Sequence, residues 1–477
     1  MVAVVLASAL PTQAASMFGE RRAYPVGTSP VGVVAAELDG KSGVDVATAD
    51  EGGSVSFLAN RGDGVFSSAG QIALDSRYTA TALTRGSFNG DAIGDLAVAA
   101  NDSESQTFVG TLLIFRSLAV AQYAATPVAL GLFPTCVVND DVTGDGLADL
   151  IACSTNPLGG GLVSILRRRA DFSYTPPVSV PLPGVVPRRL TTGDVDGDGH
   201  VDLVVVDTDN DSVWILYGLS EPNFEAPVRL AVVNKPSAVR VATFTAASRS
   251  AVVVASAAQN EVLVFHQTQA RSFQDGIPQQ VGQEPSDLAI ADVDSDGDMD
   301  VLVSNASSNT VSVLLSDAQA GLSLAQTVAV GKRPVAIVTA DFNGDGMPDF
   351  ATADQNDVGF GADVQSVSVV LNGVSPPFTA TPTTTSSSTP TPTKTPSLTP
   401  SGRSTPTVTG TRRTATSTPR PSPTPAGPLD ANCDGRLDAS DIDTLVARIF
   451  DGQSGCLTRR VTAADVAALV KALEAAR

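Results

Sequence analysis

One nine-residue pattern recurs along the chain and constrains its fold more than any other feature. The clearest copy is Asp194-Val-Asp196-Gly-Asp198-Gly-His-Val-Asp202, with acidic side chains at positions 1, 3, 5 and 9. A tight turn through such a segment gathers carboxylate oxygens, which Ca²⁺ binds at roughly 2.3–2.6 Å. The glycines permit the positive φ angles that such a turn needs. The apolar run at 203–206 predicts a buried strand directly after the turn.

The spacing of the copies indicates a repeat protein. They begin at residues 37, 87, 141, 194, 243, 292 and 341, so that successive copies are 50, 54, 53, 49, 49 and 49 residues apart. Such a period is typical of propellers and solenoids. Six copies have a proline seven residues earlier, namely Pro30, Pro134, Pro187, Pro236, Pro285 and Pro334. In five of these a glycine stands three residues before the proline, namely Gly27, Gly131, Gly184, Gly282 and Gly331.

The candidate calcium ligands differ between the copies. Three further copies keep the pattern, with Asp141, Thr143, Asp145 and Asp149, then Asp292, Asp294, Asp296 and Asp300, then Asp341, Asn343, Asp345 and Asp349. Two weaker copies have Glu37, Asp39, Lys41 and Asp45, and Ser87, Asn89, Asp91 and Asp95. The copy with Thr243, Thr245, Ala247 and Ala251 has lost its ligands and is expected to bind no ion. The repeats therefore predict about four to six Ca²⁺ sites.

Each repeat contains four short strand patterns. A strand leads into the acidic segment, as at 31–36, a buried strand follows it, as at 301–303, and two further strands complete the unit. Four antiparallel strands per unit and seven units predict an all-β, seven-bladed propeller over residues 17–374. The last unit ends with its third strand at 367–371, whereas 18–26 is a strand without a blade. Pairing these two would close the ring and leave no free edge.

The propeller is flanked by segments of different composition. Residues 1–16 are apolar and end in small residues, which predicts a secretory signal peptide, with a frayed apolar terminus as the alternative. Residues 375–427 consist largely of Thr, Pro and Ser and predict an extended spacer. Nothing else approaches the ~20 apolar residues of a membrane helix. We therefore expect a secreted or cell-surface protein with no membrane span.

Residues 428–477 predict a small all-α domain with a calcium loop of EF-hand type. The candidate ligands are Asp430, Asn432, Asp434, the carbonyl of Arg436, Asp438 and Asp441, at positions 1, 3, 5, 7, 9 and 12. An amphipathic helix follows at 442–450. A second copy has Ser454, Cys456 and Thr458 at its first ligand positions, which cannot form a calcium cage. One further Ca²⁺ site is therefore predicted.

The net charge restricts the partners that the chain can bind, and the cysteine spacing indicates where disulfides can form. The chain has 30 Lys+Arg against 50 Asp+Glu, a net charge of -20, which disfavours nucleic acid and anionic membranes as partners. Cys136 and Cys153 flank the loop at 141–149, and either a disulfide or two buried thiols is compatible with that spacing. For Cys433 and Cys456 a disulfide is favoured, because a small exported domain benefits from a cross-link.

The Asp-x-Asp-x-Asp-Gly-x-x-Asp copies resemble the FG-GAP/VCBS family, which forms the blades of the integrin alpha-subunit head and of many exported bacterial proteins. The resemblance covers about residues 18–374 and implies one structural Ca²⁺ per competent loop, between the first two strands of each blade. The segment at 428–477 resembles a type I dockerin. That resemblance implies a cohesin-like partner, contacted through Ala439 and Ser440 and through Ala463 and Ala464.

Three functions are compatible with these features. The favoured one is a non-enzymatic adhesion or binding protein, whose propeller presents a surface to an extracellular protein or glycan and whose dockerin-like domain tethers it. The alternatives are a propeller-based polysaccharide lyase or hydrolase, and a purely structural spacer. The chain has no nucleophile elbow, no zinc motif and only two histidines. Of these, His200 is expected to be exposed and idle, since position 7 of a calcium loop contributes its carbonyl.

Overall fold

The computed structural model describes residues 16–373, apart from residue 42 and segments 103–109, 120–121, 157–159, 220–222, 246–248, 318–320 and 356–364. Three predictions therefore lie outside the described residues: most of the signal peptide at 1–16, the spacer at 375–427, and the dockerin-like domain at 428–477. That domain contains the six candidate ligands Asp430, Asn432, Asp434, Arg436, Asp438 and Asp441, and the Cys433–Cys456 pair. Ala247 also lies outside the described residues. No membrane-spanning helix occurs among the residues that the structure describes.

The described strands form seven antiparallel sheets, and this part of the chain is an all-β, seven-bladed propeller as predicted. In chain order the strands are β1 (Arg22–Val26), β2 (Pro30–Ala36), β3 (Asp45–Asp50), β4 (Ser54–Asn60), β5 (Phe66–Ala73), β6 (Tyr78–Gly86), β7 (Asp95–Asp102), β8 (Gly110–Ala119), β9 (Gln122–Ala129), β10 (Phe133–Asp140), β11 (Asp149–Thr155), β12 (Gly161–Leu166), β13 (Val178–Leu182), β14 (Arg189–Gly193), β15 (Asp202–Asp207), β16 (Ser212–Leu216), β17 (Val228–Val232), β18 (Pro236–Ala242), β19 (Ala251–Ser256), β20 (Glu261–Gln269), β21 (Ser272–Phe273), β22 (Ile277–Gln280), β23 (Pro285–Ala291), β24 (Asp300–Asn305), β25 (Thr310–Ser316), β26 (Leu322–Ala329), β27 (Pro334–Ala340), β28 (Asp349–Asp354) and β29 (Gln365–Val370).

The blades follow one another in the chain. Blade 1 is β2–β5, blade 2 is β6–β9, blade 3 is β10–β13, blade 4 is β14–β17, blade 5 is β18–β22, blade 6 is β23–β26, and blade 7 is β27–β29 with β1. The first strands of successive blades contact one another from β2 through β6, β10, β14, β18, β23 and β27 and back to β2. Blade 5 departs from the predicted four strands, because the short β21 adds a second pairing to β20.

The ring closes by pairing its two ends, as the sequence predicts. β1 runs antiparallel to β29, with Arg22 opposite Val369 and Val26 opposite Gln365. The closing strand begins later than expected, because Phe18 forms only an isolated bridge to Asn372. The Phe18 ring is buried and packs edge-on against the ring of Phe350, with centroids 5.0 Å apart. The first described residues are therefore anchored in the last blade.

The core lies between the blades. Every residue of the second strand is buried in blades 1, 4, 5, 6 and 7. Alternate side chains of β15 face opposite neighbours: Leu203 and Val205 pack toward blade 3, whereas Val204 and Val206 pack toward blade 5. A strand covered on both faces must be apolar at consecutive positions. Each such Val or Leu contributes about 1.5–3 kcal/mol on burial.

The two cysteines of blade 3 form a disulfide. Cys136 and Cys153 are opposite one another in the β10–β11 register, with Cα atoms 5.1 Å apart. The spacing allows either a disulfide or two buried thiols, and the structure has the disulfide.

Candidate metal centres and the channel mouth

The acidic segments lie in the turns between the first and second strands of their blades. In the turn between β14 and β15, Gly197 and Gly199 have φ angles of 82° and 88°. Their N–H groups donate to Asp194, at 2.7 Å to Oδ1 and 2.9 Å to Oδ2. Asp341 accepts the equivalent bonds from Gly344 and Gly346. Position 1 therefore organises the turn, and the glycines provide the conformation that it requires.

The aspartate at position 9 links three parts of each blade. Asp202, the first residue of β15, is buried and accepts the Val195 N–H on Oδ2 at 2.8 Å and the Gly218 N–H on Oδ1 at 2.7 Å. It thereby joins the turn to the end of the third strand. The same double contact occurs in four other blades, at Asp45, Asp95, Asp300 and Asp349.

Burial of these carboxyls raises their pKa values. Loss of solvation brings the pKa of Asp45, Asp149, Asp202 and Asp300 to about 6 and that of Asp349 to about 7, although backbone N–H donors act in the opposite direction. The pKa of Asp95 is raised for the same reason. A divalent cation nearby would favour the ionised forms.

Three loops bring carboxylates together. Oxygens lie within 4.8 Å of one another in the sets Asp194, Asp196 and Asp202, then Asp292, Asp294 and Asp300, then Glu37, Asp39 and Asp45. The position-5 carboxylates Asp198 and Asp296 are outside these sets and accept the N–H groups of His200 and Asp298. His200 is exposed, as expected. Sequence reasoning ranked the Glu37 loop as weak, yet its carboxylates converge as closely as those of the strong copies.

The remaining predicted ligands converge less closely. Within the described chain, no such three-carboxylate set forms from Asp141, Asp145 and Asp149 or from Asp341, Asp345 and Asp349, and the loop with Asp91 and Asp95 has only these two carboxylates. Position 3 in these loops is Thr143, Asn343 or Asn89, so each offers fewer carboxylates. Asn343 and Asn89 donate their amides to Asp345 and Asp91, at 2.8 and 2.7 Å.

Asp149 has an unusual environment. Its Oδ1 accepts the Arg168 N–H at 2.8 Å, whereas its buried Oδ2 has no hydrogen bond of ordinary geometry from a described residue, although the Thr143 hydroxyl is near enough to act against the rise in the pKa of Asp149. The donor that serves this oxygen in other blades is lost, because Val142 donates its N–H to the Asp140 carbonyl instead. A buried carboxylate oxygen without a donor is costly unless a cation lies against it. Together with the all-oxygen donor sets, this atom fits a hard divalent ion.

In two of the acidic loops, a carboxylate forms an ion pair with a Lys or Arg side chain. In blade 1, Lys41 Nζ lies 2.6 Å from Asp39 Oδ2, and this hydrogen bond raises the pKa of Lys41. At blade 4, Arg271 reaches across from the β20–β21 turn of blade 5. Its Nε lies 2.7 Å from Asp196 Oδ2, and its guanidinium also contacts Glu225 at 2.9 Å and covers the Tyr217 ring. Blade 5, which lacks the acidic pattern, therefore supplies a cation to its neighbour.

A second group of buried aspartates was missed by the sequence reasoning. Asp50, Asp207 and Asp354 end the second strands of blades 1, 4 and 7 and are fully buried. Asp50 accepts hydroxyl hydrogens from Thr48, Ser54 and Ser56, at 2.6–2.8 Å. These carboxylates join strands rather than forming an acidic cluster. The only sequence signal is the shared Thr-Ala-Asp at 48–50 and 352–354.

The glycine–proline segments lie at the opposite end of the first strands and surround what we call the channel mouth. Here the residue before proline has a positive φ in four blades: 56° at Ser29, 49° at Lys235, 54° at Glu284 and 52° at Arg333. This conformation costs a non-glycine residue roughly 1–2 kcal/mol. Each of the last three is held by a side chain of the preceding blade, which accepts its N–H: Asp211 for Lys235, Asn260 for Glu284 and Asn309 for Arg333, at 2.7–2.9 Å.

Hydroxyl groups join neighbouring blades at the same level. Thr135 donates to the Pro187 carbonyl at 2.7 Å, Ser237 to Pro285 at 2.6 Å, and Ser286 to Pro334 at 2.6 Å. In blade 4, where Arg188 follows the proline, Thr208 donates to Pro236 instead. A cavity of about 650 Å³ occupies the mouth and is lined by blades 2 to 7. The proline carbonyls thus fix the spacing of the blades around this cavity.

Comparison with known proteins identifies the repeats. Residues 141–205 and 292–352 match the model of the FG-GAP-like repeat family. These two segments are FG-GAP-like repeats. Each FG-GAP-like segment begins at position 1 of an acidic loop, Asp141 or Asp292, and includes the buried second strand. No curated protein matches the sequence.

Two solved structures share the propeller fold. The BP39L lectin from Burkholderia pseudomallei is 14% identical, with a TM-score of 0.56 over 73% of this chain and 97% of the lectin. BBS1N in complex with ARL6DN is 14% identical, with a TM-score of 0.51 over 74% of this chain and 97% of BBS1N. At such identity the likeness concerns the fold alone.

Proposed function

We propose that this chain is an exported, calcium-stabilised binding protein with no catalytic activity of its own. Its propeller presents a surface to an extracellular protein or glycan, and its dockerin-like domain tethers it to a cohesin-like partner. The observation that carries the proposal is the convergence of Asp194, Asp196 and Asp202 within 4.8 Å, repeated at Asp292, Asp294 and Asp300. Such oxygen sets suit Ca²⁺ better than transition metals, which prefer nitrogen or sulfur ligands.

The calcium ions would have a structural role. The position-9 aspartates join the acidic turn to the end of the third strand, so an ion at these loops would hold both parts of a blade. Extracellular calcium sites have dissociation constants of roughly 10⁻⁴–10⁻³ M, so millimolar calcium would add about 0.4–1.4 kcal/mol per site. Several sites together would decide whether the blades remain ordered.

The residues that would hold the ions follow the repeats. In the propeller they are Asn89, Asp91 and Asp95, then Asp141, Asp145 and Asp149, then Asp194, Asp196, Asp198 and Asp202, then Asp292, Asp294, Asp296 and Asp300, then Asp341, Asn343, Asp345 and Asp349. In the dockerin-like domain they are Asp430, Asn432, Asp434, Arg436, Asp438 and Asp441.

A binding role is supported by the fold and by the use of the acidic groups. One fold neighbour is a lectin and another is found in complex with a protein partner. In this chain the position-9 carboxylates of five blades have both oxygens engaged by backbone N–H groups, as Asp300 has with Val293 and Ser316. Carboxylates held in this way are suited to organising loops rather than to transferring protons.

The proposal is tested with the full chain on glycan and protein arrays, in millimolar calcium and after calcium depletion. We expect a bound ligand, retention of calcium through gel filtration, and capture by cohesin modules. A polysaccharide panel scored for new reducing ends tests the enzymatic alternative. Depolymerisation of any polysaccharide, or a chain that retains no calcium, would overturn the corresponding part of the proposal.

A further inference from the structure

We propose that the channel mouth binds an acidic oligosaccharide, with Arg189, Lys235 and Arg333 as its cationic contacts. This inference rests on the proposed binding function and specifies the ligand class and its site. Three observations support it: the local charge, the backbone conformation of the rim, and the shape of the cavity.

The mouth is cationic in an otherwise acidic chain. Among the lining residues that the structure describes, Arg188, Arg189, Lys235 and Arg333 are cations and Asp209 and Glu284 are the anions, whereas the whole chain has a net charge of -20. Asp209 is neutralised by Arg188 at 2.7 Å. Arg189 and Lys235 form no ion pair with any residue between 16 and 373 that the structure describes. An anionic ligand would be repelled by most of the surface and attracted here.

At the channel mouth, three charged residues that precede prolines have a positive φ, a backbone conformation that glycine would adopt more easily. Lys235, Glu284 and Arg333 occupy equivalent places in blades 5, 6 and 7, with φ of 49°, 54° and 52°. The preceding blade accepts each N–H, and the residue's own blade donates to each carbonyl, as Ala257 of blade 5 does to Lys235 at 3.0 Å. Non-glycine residues persist in this region where the surrounding structure determines them, often at ligand sites. The fixed backbone determines where each side chain starts, although the exposed side chains of Lys235 and Arg333 still lose rotamer freedom on binding.

The cavity suits a small, polar, carboxylated ligand. Its volume of about 650 Å³ falls within the range of small-ligand sites and accommodates about two or three sugar rings. A protein partner would instead need roughly 800 Å² of contact, most of it outside a concave mouth. The arginine guanidiniums offer paired N–H donors that match a carboxylate. Ser237 donates to a proline carbonyl, and its hydroxyl can still accept a hydrogen bond from a sugar, whereas the Ser286 hydroxyl already lies 2.9 Å from Ser304 Oγ.

Calorimetry with trigalacturonate and its fully methyl-esterified form tests the proposal, because the pair differs in charge and not in sugar. The full chain in millimolar calcium should bind the acid form, with affinity that falls as salt increases, and should not bind the ester. The variants Lys235→Gln and Arg189→Gln/Lys235→Gln should weaken binding about threefold and at least tenfold. Lys332→Gln is the matched control, since Lys332 is an exposed neighbour of Arg333 that does not line the cavity.

Other probes separate the alternatives. A sulfated trisaccharide that binds as tightly and responds to the same variants would extend the ligand class to sulfate. Equal binding of the ester, unchanged affinity in the double variant with an unchanged melting temperature, or preference for a tetra-aspartate peptide would overturn the proposal. So would failure of every acidic trisaccharide to bind. Array binding that the mouth variants leave unchanged would remove this site and leave the proposed binding function standing.

Discussion

Lys235 donates its backbone N–H to Asp211 Oδ1 at 2.7 Å, across the boundary between blades 4 and 5. Lys235 precedes a proline and has a φ of 49°, and Asp211 itself has a φ of 51°. The pairs Glu284 with Asn260 and Arg333 with Asn309 repeat this contact at the next two boundaries. One short polar side chain in the turn between the second and third strands therefore holds the start of the next blade.

Relief of this conformation should stabilise the propeller. Lys235→Gly removes the Cβ that opposes positive φ, and we expect the free energy of unfolding to rise by about 0.5–1 kcal/mol. Urea denaturation measures the change. Lys235→Gln is the control, because it keeps the Cβ and should leave stability unchanged. A Lys235→Gly protein less stable than wild type would contradict the account of the rim.

Calcium removal should lower the melting temperature by many degrees. Loss of one ligand should matter most in a loop that has all four acidic ligands. Asp198 lies outside the converging set but belongs to the same loop as Asp194, Asp196 and Asp202, so Asp198→Ala should lower the melting temperature in calcium more than Asp91→Ala does. Asp91 lies in the weaker loop, where Asn89 and Ser117 already donate to its Oδ2 at 2.7 and 2.8 Å. Scanning calorimetry with and without chelator, together with a count of bound calcium, provides the measurement. An unchanged melt in excess chelator would refute the structural role of the ion.

Calcium should oppose the pH dependence that the buried aspartates give to the stability of the propeller. In the calcium-free protein, burial raises the pKa of Asp202 to about 6 and of Asp349 to about 7, above the ordinary value of 3.8. At pH values between 3.8 and these raised pKa values, the carboxyls of the folded state bind more protons than those of the unfolded state. Their contribution to stability is therefore full below about pH 4 and is lost as pH rises through 6 to 7. Calcium binds the ionised carboxylates, so its stabilising effect should increase over the same range.

Melting curves at about pH 5 and about pH 7.5, in metal-free buffer and in calcium, measure both effects. We expect the calcium-free protein to melt lower at the higher pH and the calcium-induced shift to be larger there. A calcium shift of equal size at both values would argue against ligation by these carboxylates.

The first loop should gain a calcium ion when its lysine is replaced. Lys41→Asp removes the ammonium group that lies 2.6 Å from Asp39 and supplies a carboxylate at position 5. Because Glu37, Asp39 and Asp45 already converge, the variant should bind about one more Ca²⁺ and melt a few degrees higher in calcium. Equilibrium dialysis with metal analysis counts the ions. Lys332→Asp makes the same change of charge at an exposed position outside the acidic loops. It should leave the number of bound Ca²⁺ ions unchanged.

Removal of Arg271 should strengthen calcium binding at blade 4. The guanidinium lies 2.7 Å from Asp196 Oδ2, whose side chain is only 3% exposed, so its positive charge opposes an ion at the same carboxylate. Arg271→Gln should raise the affinity of this site about tenfold. It should also lower the melting temperature without calcium, because a buried carboxylate loses its partner. Calcium titration measures the affinity, and Arg229→Gln, an exposed cation on the outer strand β17, should change neither value.

The repeat itself was readable from the sequence. The acidic turn, its glycines and the apolar second strand are local features with fixed spacing, so their recurrence predicted seven blades, and the unmatched strands at the two ends predicted closure. Pairing of Arg22 with Val369 confirms that closure. The sequence placed Asp202 and Asp300 in the acidic turn and began the second strands at 203 and 301, whereas both residues are the first of their strands in the structure.

Contacts between blades were decided only by the tertiary structure. Arg271 and Asp196 lie 75 residues apart, and nothing near either residue predicts that they meet. The same holds for the Lys235–Asp211 contact, for the unpartnered oxygen of Asp149 and for the cationic mouth. Local spacing determines the turn and the strand, since both form within a few residues of chain. Which side chains face each other across two blades depends on how the sheets pack around the ring, and the sequence has no periodic signal for that.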